Sequence, residues 1–447
     1  MDHPVRQPFQ NPDRQGAGFH TARIMAEQRG AALIPSLEAA QWRALKSLIT
    51  ELVPANPFQS AKLKGLPIHS LADFKAQVPF THKKELIDDQ LAHPPFGTNL
   101  TYPISRYTRF SQTSGSTGAA MRCVDTQESW SWMVSNWMRV LEAAEVTSSD
   151  RIFFAFSFGP FLGFWTAFEA AGKVGALAIP GGGMRSTSRL RAILDTGATI
   201  LCCTPTYALH LAEAAAEESI DMSESRIRRI LVAGEPGGSV PGVREHIERL
   251  WPGAKVIDHH GLTEVGPVSY GCPARRDVLH IIESSYIAEI IDPETGAPAE
   301  RGSLGELVLT NLGRAGWPVL RYRTGDIVRQ STVDECPCGT DEMALEGGIL
   351  SRADDMVVVR GVNVYPAAID DIVRRSRGIA EYRVEVRVER SLTDLHIEIE
   401  AVDPSIAHRL EVALRDALNL RIPVSLAPPG TLPRFELKAK RWVRPVL

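Results

Sequence analysis

An acidic turn in the middle of the chain carries residue types that could hold a metal-bound polyphosphate. The stretch Asp258-His-His-Gly-Leu-Thr-Glu-Val265 follows a short apolar run over residues 254–257. Glu264 offers hard carboxylate oxygens of the kind that Mg²⁺ binds, and the Thr263 hydroxyl can donate a hydrogen bond to a phosphate oxygen. A Thr-Glu pair is also common at the start of a helix, so this turn predicts phosphate chemistry only together with other motifs.

A segment rich in hydroxyl groups and glycine, Ser111-Gln-Thr-Ser-Gly-Ser-Thr-Gly118, lies upstream of that turn. Small residues let the backbone approach a phosphate, while hydroxyl and N–H groups supply donors. The segment is not a Walker-type loop, because no Gly-Lys-Ser/Thr follows it, and a flexible Ser/Gly turn is the alternative interpretation. Downstream lie Tyr322-Arg-Thr-Gly-Asp326, Arg352-Ala-Asp-Asp355 and Lys438. This ordered set predicts an enzyme that handles ATP.

The elements that must position these residues follow an alternating pattern between residues 151 and 257. Predicted strands cover residues 151–157, 176–180, 200–203, 230–233 and 256–257, and predicted helices cover 161–172, 190–194, 207–217 and 243–250. Such alternation predicts a parallel sheet covered on both faces, with ligands beyond the carboxyl ends of its strands. Gly181-Gly-Gly183, Gly234-Glu-Pro236 and His259-His260 fall at those ends.

The fold class that this pattern predicts is α/β, with a large N-terminal domain and a small mobile α+β C-terminal domain. Helical periodicity over residues 37–53 and the turn Asp292-Pro-Glu-Thr-Gly296 mark the two flanks of the α/β part. The large domain is predicted to span residues 1–353: a helical cap region over 1–100, parallel sheets flanked by helices over 101–266, and a β-barrel-like subdomain over 267–353. The C-terminal domain is predicted to span residues 354–447.

Three cysteines and a histidine in the β-rich part could form a closed tetrahedral zinc site. Cys336-Pro-Cys338 makes a tight knuckle, and Cys272 and His280 flank a short loop upstream of it. Four protein ligands leave no position for water, so such a zinc ion would be structural. The alternative is a set of unrelated thiols in loops, since Cys-x-Cys is narrower than the usual Cys-x2-Cys spacing.

Composition narrows the class of protein. The chain has 447 residues, enough for about two or three domains, with 44% hydrophobic and 23% charged residues and a formal net charge of -4. That charge gives no basic footprint for nucleic acid. The N-terminus predicts no signal peptide, and Glu169 and Lys173 interrupt the apolar stretch 152–180, so we expect no membrane span. Six cysteines in a chain of this length predict a reducing cytoplasm rather than a disulfide scaffold.

Taken together, these motifs resemble the adenylate-forming superfamily of acyl-CoA synthetases, and its phenylacetate–CoA ligase family in particular. The resemblance covers roughly residues 100–447. It rests on the ordered set Thr113-Ser-Gly-Ser-Thr-Gly118, Gly234-Glu-Pro236, Gly261-Leu-Thr-Glu264, Tyr322-Arg-Thr-Gly-Asp326, Arg352-Ala-Asp-Asp-Met356, Arg360-Gly-Val-Asn-Val-Tyr-Pro366 and Pro433-Arg-Phe-Glu-Leu-Lys438. It implies a two-step reaction in which a carboxylate attacks the α-phosphate of ATP and coenzyme A then displaces AMP from the acyl-adenylate.

The resemblance also implies a role for each matching residue. Glu264 would hold Mg²⁺, Thr263 would contact phosphate, and Lys438 would bridge the carboxylate and the α-phosphate after the small domain turns about Asp354. The β- and γ-phosphates would lie on Thr113, Ser114, Gly115, Ser116, Thr117 and Gly118; adenine on Gly234, Glu235, Pro236 and His259; ribose on Asp326 and Arg352. Relatives also imply zinc at Cys272, His280, Cys336 and Cys338, and a homodimer.

This sequence departs from the family pattern at two positions. The phosphate loop usually continues Gly-Lys, whereas Gly118 is followed here by Ala119 and Ala120; Arg122 is a candidate for the missing cation. The turn before the late lysine is usually glycine and is Leu437 here, with Lys440 as a nearby competitor for the role of Lys438.

The acyl pocket is expected between the segment 154–165, the glycines 181–183 and the turn 259–261. Its predicted lining is Phe156, Phe161, Trp165, Gly182, His260 and Gly261. Aromatic walls favour an aryl or arylacetic acid by stacking, and a small branched or hydroxy acid is the alternative. Two further functions remain open: transfer of the acyl group to a carrier protein or an amine, and a catalytically silent nucleotide-binding protein.

Overall fold

The computed structural model describes residues 36–113, 120–353, 355, 357–359, 362–389, 392–435 and 439–444. Several predicted site residues lie outside this part of the chain: Ser114, Gly115, Ser116, Thr117 and Gly118 of the phosphate loop, the hinge residue Asp354, and Lys438. The first 35 residues of the predicted cap region lie outside it as well.

Helices make up most of the described chain before the first strand, and further helices pack against the sheets. The first begins where the Ser36 hydroxyl accepts a hydrogen bond from the N–H of Ala39 at 3.3 Å, as helix-starting serines do. The helices are α1 Leu37–Ala55, α2 Pro57–Leu63, α3 Leu71–Gln77, α4 Lys83–Ala92, α5 Gln127–Ala143, α6 Trp165–Val174, α7 Ser186–Thr196, α8 Pro205–Glu217, α9 Pro241–Leu250, α10 Pro366–Arg375 and α11 Ser405–Leu418, with short 3-10 turns at Ile104–Arg106 and Met222–Glu224. Within the described residues, no helix combines the length and the apolar composition that crossing a bilayer requires.

A parallel sheet follows an antiparallel hairpin between residues 107 and 258. The hairpin consists of β1 Tyr107–Gln112 and β2 Arg122–Thr126, and the sheet consists of β3 Arg151–Phe154, β4 Leu177–Pro180, β5 Ile200–Cys203, β6 Arg229–Val232 and β7 Lys255–Asp258. The strand order is β4-β3-β5-β6-β7. β5 is buried along its whole length, as an apolar strand in the middle of a parallel sheet must be, whereas β4 lies at the edge.

Both faces of this sheet are covered, as the alternating pattern predicts. Ile152 and Phe154 of β3 belong to one apolar cluster with α5 and α6. Phe153, between them, points to the opposite face and belongs to a second cluster with α7, α8 and α9, because successive side chains of a strand alternate between faces. The predicted α/β fold class is therefore confirmed.

The segment predicted as a β-barrel-like subdomain contains two antiparallel sheets. The short strands β8 Gly261–Leu262 and β9 Gly266–Pro267 lead into this segment. Its own strands are β10 Ser269–Gly271, β11 Val278–Ile281, β12 Tyr286–Ile291, β13 Leu304–Asn311, β14 Tyr322–Arg329, β15 Ala344–Glu346 and β16 Ser351–Arg352. The sheets have the orders β10-β11-β15 and β12-β13-β14-β16, and β8 pairs with β9. In the second sheet Asp326 lies opposite Arg352.

The C-terminal part of the chain has its own apolar core. It contains β17 Val357–Val359, β18 Val362–Val364, β19 Ile379–Glu389, β20 Leu392–Ala401, β21 Val424–Leu426 and β22 Trp442–Val443, together with α10 and α11. The larger sheet has the order β21-β20-β19-β22. Ile369 of α10, Val384 of β19 and Leu410 of α11 are fully buried in one cluster. The predicted helix over residues 366–375 is confirmed at both ends.

Candidate functional site

The predicted nucleotide-binding segments meet at the carboxyl ends of β5, β6 and β7. Gly234 follows β6 with a φ of 96°, a conformation that glycine adopts without strain. The turn lets the Glu235 carboxylate accept a hydrogen bond from the N–H of Thr206, at the start of α8, at 2.8 Å. His259 follows β7, and its N–H donates to the carbonyl of Val232 at 3.0 Å. Two predicted adenine segments are thereby fixed to neighbouring strand ends.

His259 is held as a neutral imidazole beside an aromatic ring. Burial lowers its pKa to about 3. Its Nδ1 lies 2.6 Å from the carbonyl oxygen of Ser269, so Nδ1 carries the proton and Nε2 remains an acceptor. The ring of Trp137, on α5, lies 4.1 Å away between centroids. His259 can therefore offer an adenine ring an apolar face and one hydrogen-bond acceptor, but no charge.

Glu264 is buried, with 4% of its surface exposed, and it lies among donors. The Tyr322 hydroxyl donates to its Oε1 at 2.7 Å, and the Lys83 ammonium lies 3.5 Å from the same oxygen. Both contacts hold the carboxylate in one place on the side of Tyr322 and Lys83. The hard oxygens of Glu264 fit Mg²⁺ in ligand chemistry.

A buried ion pair fixes the backbone next to Glu264. Arg314 and Asp125 are both fully buried and form two hydrogen bonds at 2.6 and 2.7 Å. Burial opposes the charge on Arg314, but the Asp125 carboxylate raises the pKa of the guanidinium. A further Arg314 N–H donates to the carbonyl of Thr263 at 2.8 Å. The predicted phosphate-binding turn is thus anchored to β2, the strand that leaves the phosphate loop.

Asp326 presents a buried carboxylate with a donor on each oxygen. His260 Nε2 lies 3.0 Å from Oδ2, and Arg352 donates to Oδ1 at 2.8 Å. Burial would raise the pKa of Asp326, but the hydrogen bond and charge of His260 and the charge of Arg352 lower it overall. Asp326 is therefore ionised at neutral pH, and its carboxylate can accept hydrogen bonds from ribose hydroxyls.

The predicted acyl-pocket residues cluster around the segment after β3. The rings of Phe156 and Phe158 lie 4.0 Å apart, and Trp165 meets Phe158 edge-on at 4.9 Å. A Cβ added at Gly182 would lie 2.9 Å from the Phe158 ring. Phe161 packs against Gly159 and Gly163, and Gly261 lies near the backbone of Gly266 and Pro267. These rings contact one another, so part of the predicted aromatic wall is packed core.

Thr113 closes the base of the phosphate loop. Its N–H donates to the carbonyl of Met121 at 2.9 Å, and the N–H of Met121 donates to its Oγ1 at 3.0 Å. The two ends of the loop are thereby joined like a pair of strands. Ser114 to Gly118, between them, lie outside the described residues.

The predicted nucleotide-binding residues at the carboxyl ends of β5, β6 and β7 form the nucleotide rim. The last described segment of the C-terminal part contacts this rim. The N–H of Ala439 donates to Glu235 Oε2 at 3.0 Å, so the residue that follows Lys438 lies beside a predicted adenine-binding residue. The Asp371 carboxylate, on α10, accepts a hydrogen bond from the N–H of Gly242, in the first turn of α9, at 2.7 Å. Val240 at the start of α9 supplies no side-chain cap, so Asp371 caps α9 from the C-terminal part.

The predicted zinc ligands converge in the β-rich part. Donor atoms of Cys272, His280, Cys336 and Cys338 all lie within 4.8 Å of one another. The sulfurs of Cys272 and Cys336 are 3.5 Å apart, and the Cys338 sulfur is 3.4 Å from His280 Nε2. His280 Nδ1 lies 3.1 Å from the carbonyl of Glu342, which leaves Nε2 as the ligand nitrogen. Ligands around a tetrahedral zinc lie about 3.3–3.8 Å apart. The distances of 3.5 and 3.4 Å match that spacing, and the donor types fit zinc.

Four residues of this site were not predicted from the sequence: Lys83, Asp125, Trp137 and Arg314. Trp137 lies on an apolar helix stripe, which by itself indicates core packing. Asp125 and Arg314 are far apart in the chain, and no spacing rule connects them. The sequence held a signal for Lys83 alone: the phosphate loop lacks its usual lysine, so a cation from another part of the chain was worth looking for.

Comparison with known proteins agrees with the motifs. The profile of the AMP-binding enzyme family matches residues 111–314, and that of the AMP-binding enzyme C-terminal domain matches residues 361–444. The phenylacetate-coenzyme A ligase of Pseudomonas putida is 31% identical over 378 residues, which cover 81% of this chain and 83% of that protein.

A crystal structure of 2-hydroxyisobutyryl-CoA ligase in the postadenylation state has a TM-score of 0.86, with 27% identity over 92% of this chain and 90% of that one. The same ligase in the thioesterification state, bound to 2-HIB-AMP and CoA, has a TM-score of 0.69, with 28% identity and the same coverage. The arrangement described here is therefore closer to that ligase's postadenylation state. The chain belongs to the adenylate-forming superfamily, within the phenylacetate–CoA ligase family, and it is an AMP-forming acid–CoA ligase.

Proposed function

We propose that this enzyme activates an aryl or arylacetic acid with Mg²⁺-ATP and transfers the acyl group to coenzyme A at one rim of its parallel sheet. The observation that carries the proposal is Glu235, whose carboxylate accepts from Thr206 on one oxygen and from Ala439 on the other. That contact supports a site in which the cation of Lys438 arrives beside the nucleotide when the C-terminal part is docked. Charge neutralisation and alignment are what nucleotidyl transfer needs most.

In the first step the substrate carboxylate oxygen attacks the α-phosphorus, the bond to the β-phosphate breaks, and pyrophosphate leaves. Lys438 would bridge the carboxylate and the α-phosphate, and Thr263 would donate to a phosphate oxygen. Glu264 would hold Mg²⁺, which supplies charge neutralisation to the triphosphate. Asp326 would accept from the ribose hydroxyls, with Arg352 keeping its carboxylate ionised and in place.

In the second step the thiolate of coenzyme A attacks the acyl carbonyl carbon and AMP leaves. We propose a division into residues 1–353 and 354–447, with rotation about Asp354 between the steps. The cap formed by Asp371 on α9 and the contact of Ala439 with Glu235 would both break in that rotation. One rim could then serve two reactions, because a mobile domain supplies a group only when it docks.

Aromatic acids are supported by the family relative that acts on phenylacetate and by the rings after β3. Phe156, Phe161 and Trp165 belong to this aromatic segment, whose Phe158 ring faces Gly182. Aryl substrates would gain from edge and offset contacts with such rings.

A second candidate, a small branched or hydroxy acid, is favoured by two observations. Phe156 and Phe158 pack on each other at 4.0 Å, which reduces the space for a substrate ring. His260 Nδ1 is buried without a hydrogen-bond partner in the described part of the chain, and such a nitrogen is costly unless a ligand or water satisfies it. A substrate hydroxyl would do so.

A panel of carboxylic acids tests the proposal. The enzyme is given ATP, Mg²⁺ and coenzyme A with phenylacetate, benzoate, 2-hydroxyisobutyrate and short aliphatic acids, and thioesters are identified by mass spectrometry. Turnover of aryl acids is expected, and turnover of only the short acids would replace the first candidate by the second. Omitting coenzyme A in a single turnover distinguishes the acceptors: an acyl-adenylate that coenzyme A does not discharge would indicate a carrier protein or an amine.

We also propose a structural zinc ion on Cys272, His280, Cys336 and Cys338. Three thiolates and one imidazole make a closed set, which would stabilise the β-rich part without entering the reaction. A homodimer, which the family resemblance suggests, and a cytoplasmic location stay predictions.

A further inference from the structure

The family's missing loop lysine has a counterpart at the start of α4. Ala119 follows Gly118 at the point where the phosphate loop usually has a lysine after that glycine. Arg122, the nearest cation in sequence after the loop, donates instead to the carbonyl of Pro95 at 3.0 Å. Lys83, far upstream in sequence, has its ammonium 3.5 Å from Glu264, the residue proposed to hold Mg²⁺.

The backbone that carries Lys83 is fastened to the nucleotide site at its beginning. Thr81, two residues earlier, pairs with the first residues of β14: its N–H donates to the carbonyl of Arg321, and its carbonyl accepts from the N–H of Arg323, each at 2.9 Å. β14 is the strand that carries Asp326. The position of Lys83 relative to the proposed ribose acceptor is thus set by a strand-like pairing.

The same helix is also fastened to the strand that leaves the phosphate loop. Gln90 donates to the carbonyl of Arg122 at 2.6 Å and accepts from its N–H at 3.0 Å. Lys83, Leu86 and Gln90 are three and seven residues apart, so they share one helix face, and Leu86 is buried in the core with β2. The face of α4 that carries Lys83 is therefore the face that packs against β2, the strand that follows the phosphate loop.

A cleft of about 410 Å³ opens beside Lys83, lined by His82, Lys83, Tyr322, Thr324, Gly325 and Arg352 among others. Its volume lies in the range of ligand pockets, about 300–1,000 Å³. Four cationic side chains line the cleft, Lys83, Lys84, Arg323 and Arg352, against one carboxylate, Glu306. This excess of positive charge suits a polyanion rather than an apolar ligand. Lys83 keeps 39% of its side-chain surface exposed, so its ammonium can reach a ligand in the cleft.

We propose that Lys83 is a catalytic residue that binds the β- and γ-phosphates of Mg²⁺-ATP in place of the lysine missing from the phosphate loop. The proposal rests on the proposed function. When the triphosphate and its metal arrive, Glu264 would turn from Lys83 to the metal, and the ammonium would move to phosphate oxygens. Lys83 would bind pyrophosphate after the first step and would have no contact with AMP.

Binding of two nucleotides tests this assignment by calorimetry with Mg²⁺: α,β-methylene-ATP, which is not cleaved at the reacting bond, and AMP. Lys83→Met is expected to weaken α,β-methylene-ATP by about 10-fold to 100-fold, the cost of one hydrogen bond to a charged group, and to leave AMP affinity unchanged. Lys83→Arg, which keeps the charge, is expected to retain most of the affinity. Lys84→Met is the neighbouring comparison: Lys84 also lines the cleft, but it pairs with Asp88 and is 83% exposed, so a smaller loss of affinity is expected.

Each outcome separates the inference from the function on which it rests. Wild-type enzyme that fails to bind α,β-methylene-ATP would contradict the proposed function itself. Wild-type binding with an unchanged affinity in Lys83→Met would overturn only the role of Lys83. An equal loss for α,β-methylene-ATP and AMP would overturn it too, since a residue that only supports the site would act on both nucleotides. Lys83→Gln, which keeps a polar side chain, replaces Lys83→Met if that variant fails to fold.

Discussion

The cysteine–histidine cluster and the nucleotide rim are built in opposite ways. The cluster draws its four donors from residues 272–338, on β11 and the loops near it, and they already lie within 4.8 Å of one another. The rim draws on α4, β6, β7, β14 and the C-terminal part, joined by single hydrogen bonds such as that of Ala439 to Glu235 at 3.0 Å. The cluster is prearranged, whereas the rim includes a contact from the C-terminal part of the chain.

This difference indicates different tasks. A closed set of soft ligands can stabilise a fold but leaves no position for substrate. A rim shared between two units can be opened and rebuilt within one catalytic cycle, because each contact between the units contributes only about 1 kcal/mol. The rim still needs a fixed part, and the buried pair of Arg314 and Asp125 behind Thr263 fills that role.

The largest expected effect is on this fixed part. Arg314→Met leaves Asp125 as an unpaired buried charge, so we expect the free energy of unfolding of the protein to fall by about 3–5 kcal/mol. Denaturant melts followed by tryptophan fluorescence measure it. The double variant Asp125→Leu/Arg314→Met is expected to recover much of the loss, and a single variant as stable as wild type would show that the pair does not hold the turn.

The next largest effect concerns the C-terminal part, which we propose to be mobile. Lys438→Ala is expected to slow adenylation by about 10²–10³-fold, the effect of removing one preorganised charge partner from a transition state. Thioester formation from supplied acyl-adenylate should be largely retained. Pyrophosphate exchange and a single-turnover thioester assay measure the two steps, with Lys440→Ala as the matched control. If Lys440→Ala were the slower variant, the bridging role would belong to Lys440.

Removing the proposed metal should affect stability and spare the reaction. With free zinc at 100 times its Kd, the ion would stabilise the folded protein by about 2.7 kcal/mol. A strong chelator should therefore lower the Tm of the wild type, while Cys336→Ser should contain no zinc and show no response to the chelator. Elemental analysis and thermal melts measure this. A metal-free wild-type protein with an unchanged Tm would refute the zinc assignment.

The smallest effect concerns the cap that Asp371 places on α9. Asp371→Ala removes a helix cap worth about 1 kcal/mol, and only in the docked arrangement. We expect adenylation to slow about 5-fold, while thioester formation from acyl-adenylate stays unimpaired. Asp371→Asn keeps an acceptor and should behave as wild type. Equal slowing of both steps in Asp371→Ala would mean that the contact does not distinguish the two arrangements.

Much of the fold could be predicted from local pattern. The apolar run at 200–203 was confirmed as a buried strand, and the helix over 366–375 was confirmed at both ends, because hydrophobic periodicity and Pro366 at the helix start are local signals. The family was confirmed from an ordered set of short motifs, each tied to one part of ATP chemistry.

The sequence by itself determined which chemistry the chain can do, since residue types such as those of Gly261-Leu-Thr-Glu264 and the three cysteines carry donor and acceptor chemistry wherever they lie. Only the tertiary structure decided which groups act together. Arg314 meets Thr263, Lys83 meets Glu264, and Asp371 meets Gly242 across long stretches of chain. Contacts of this kind depend on the packing of whole elements, and no local periodicity encodes them.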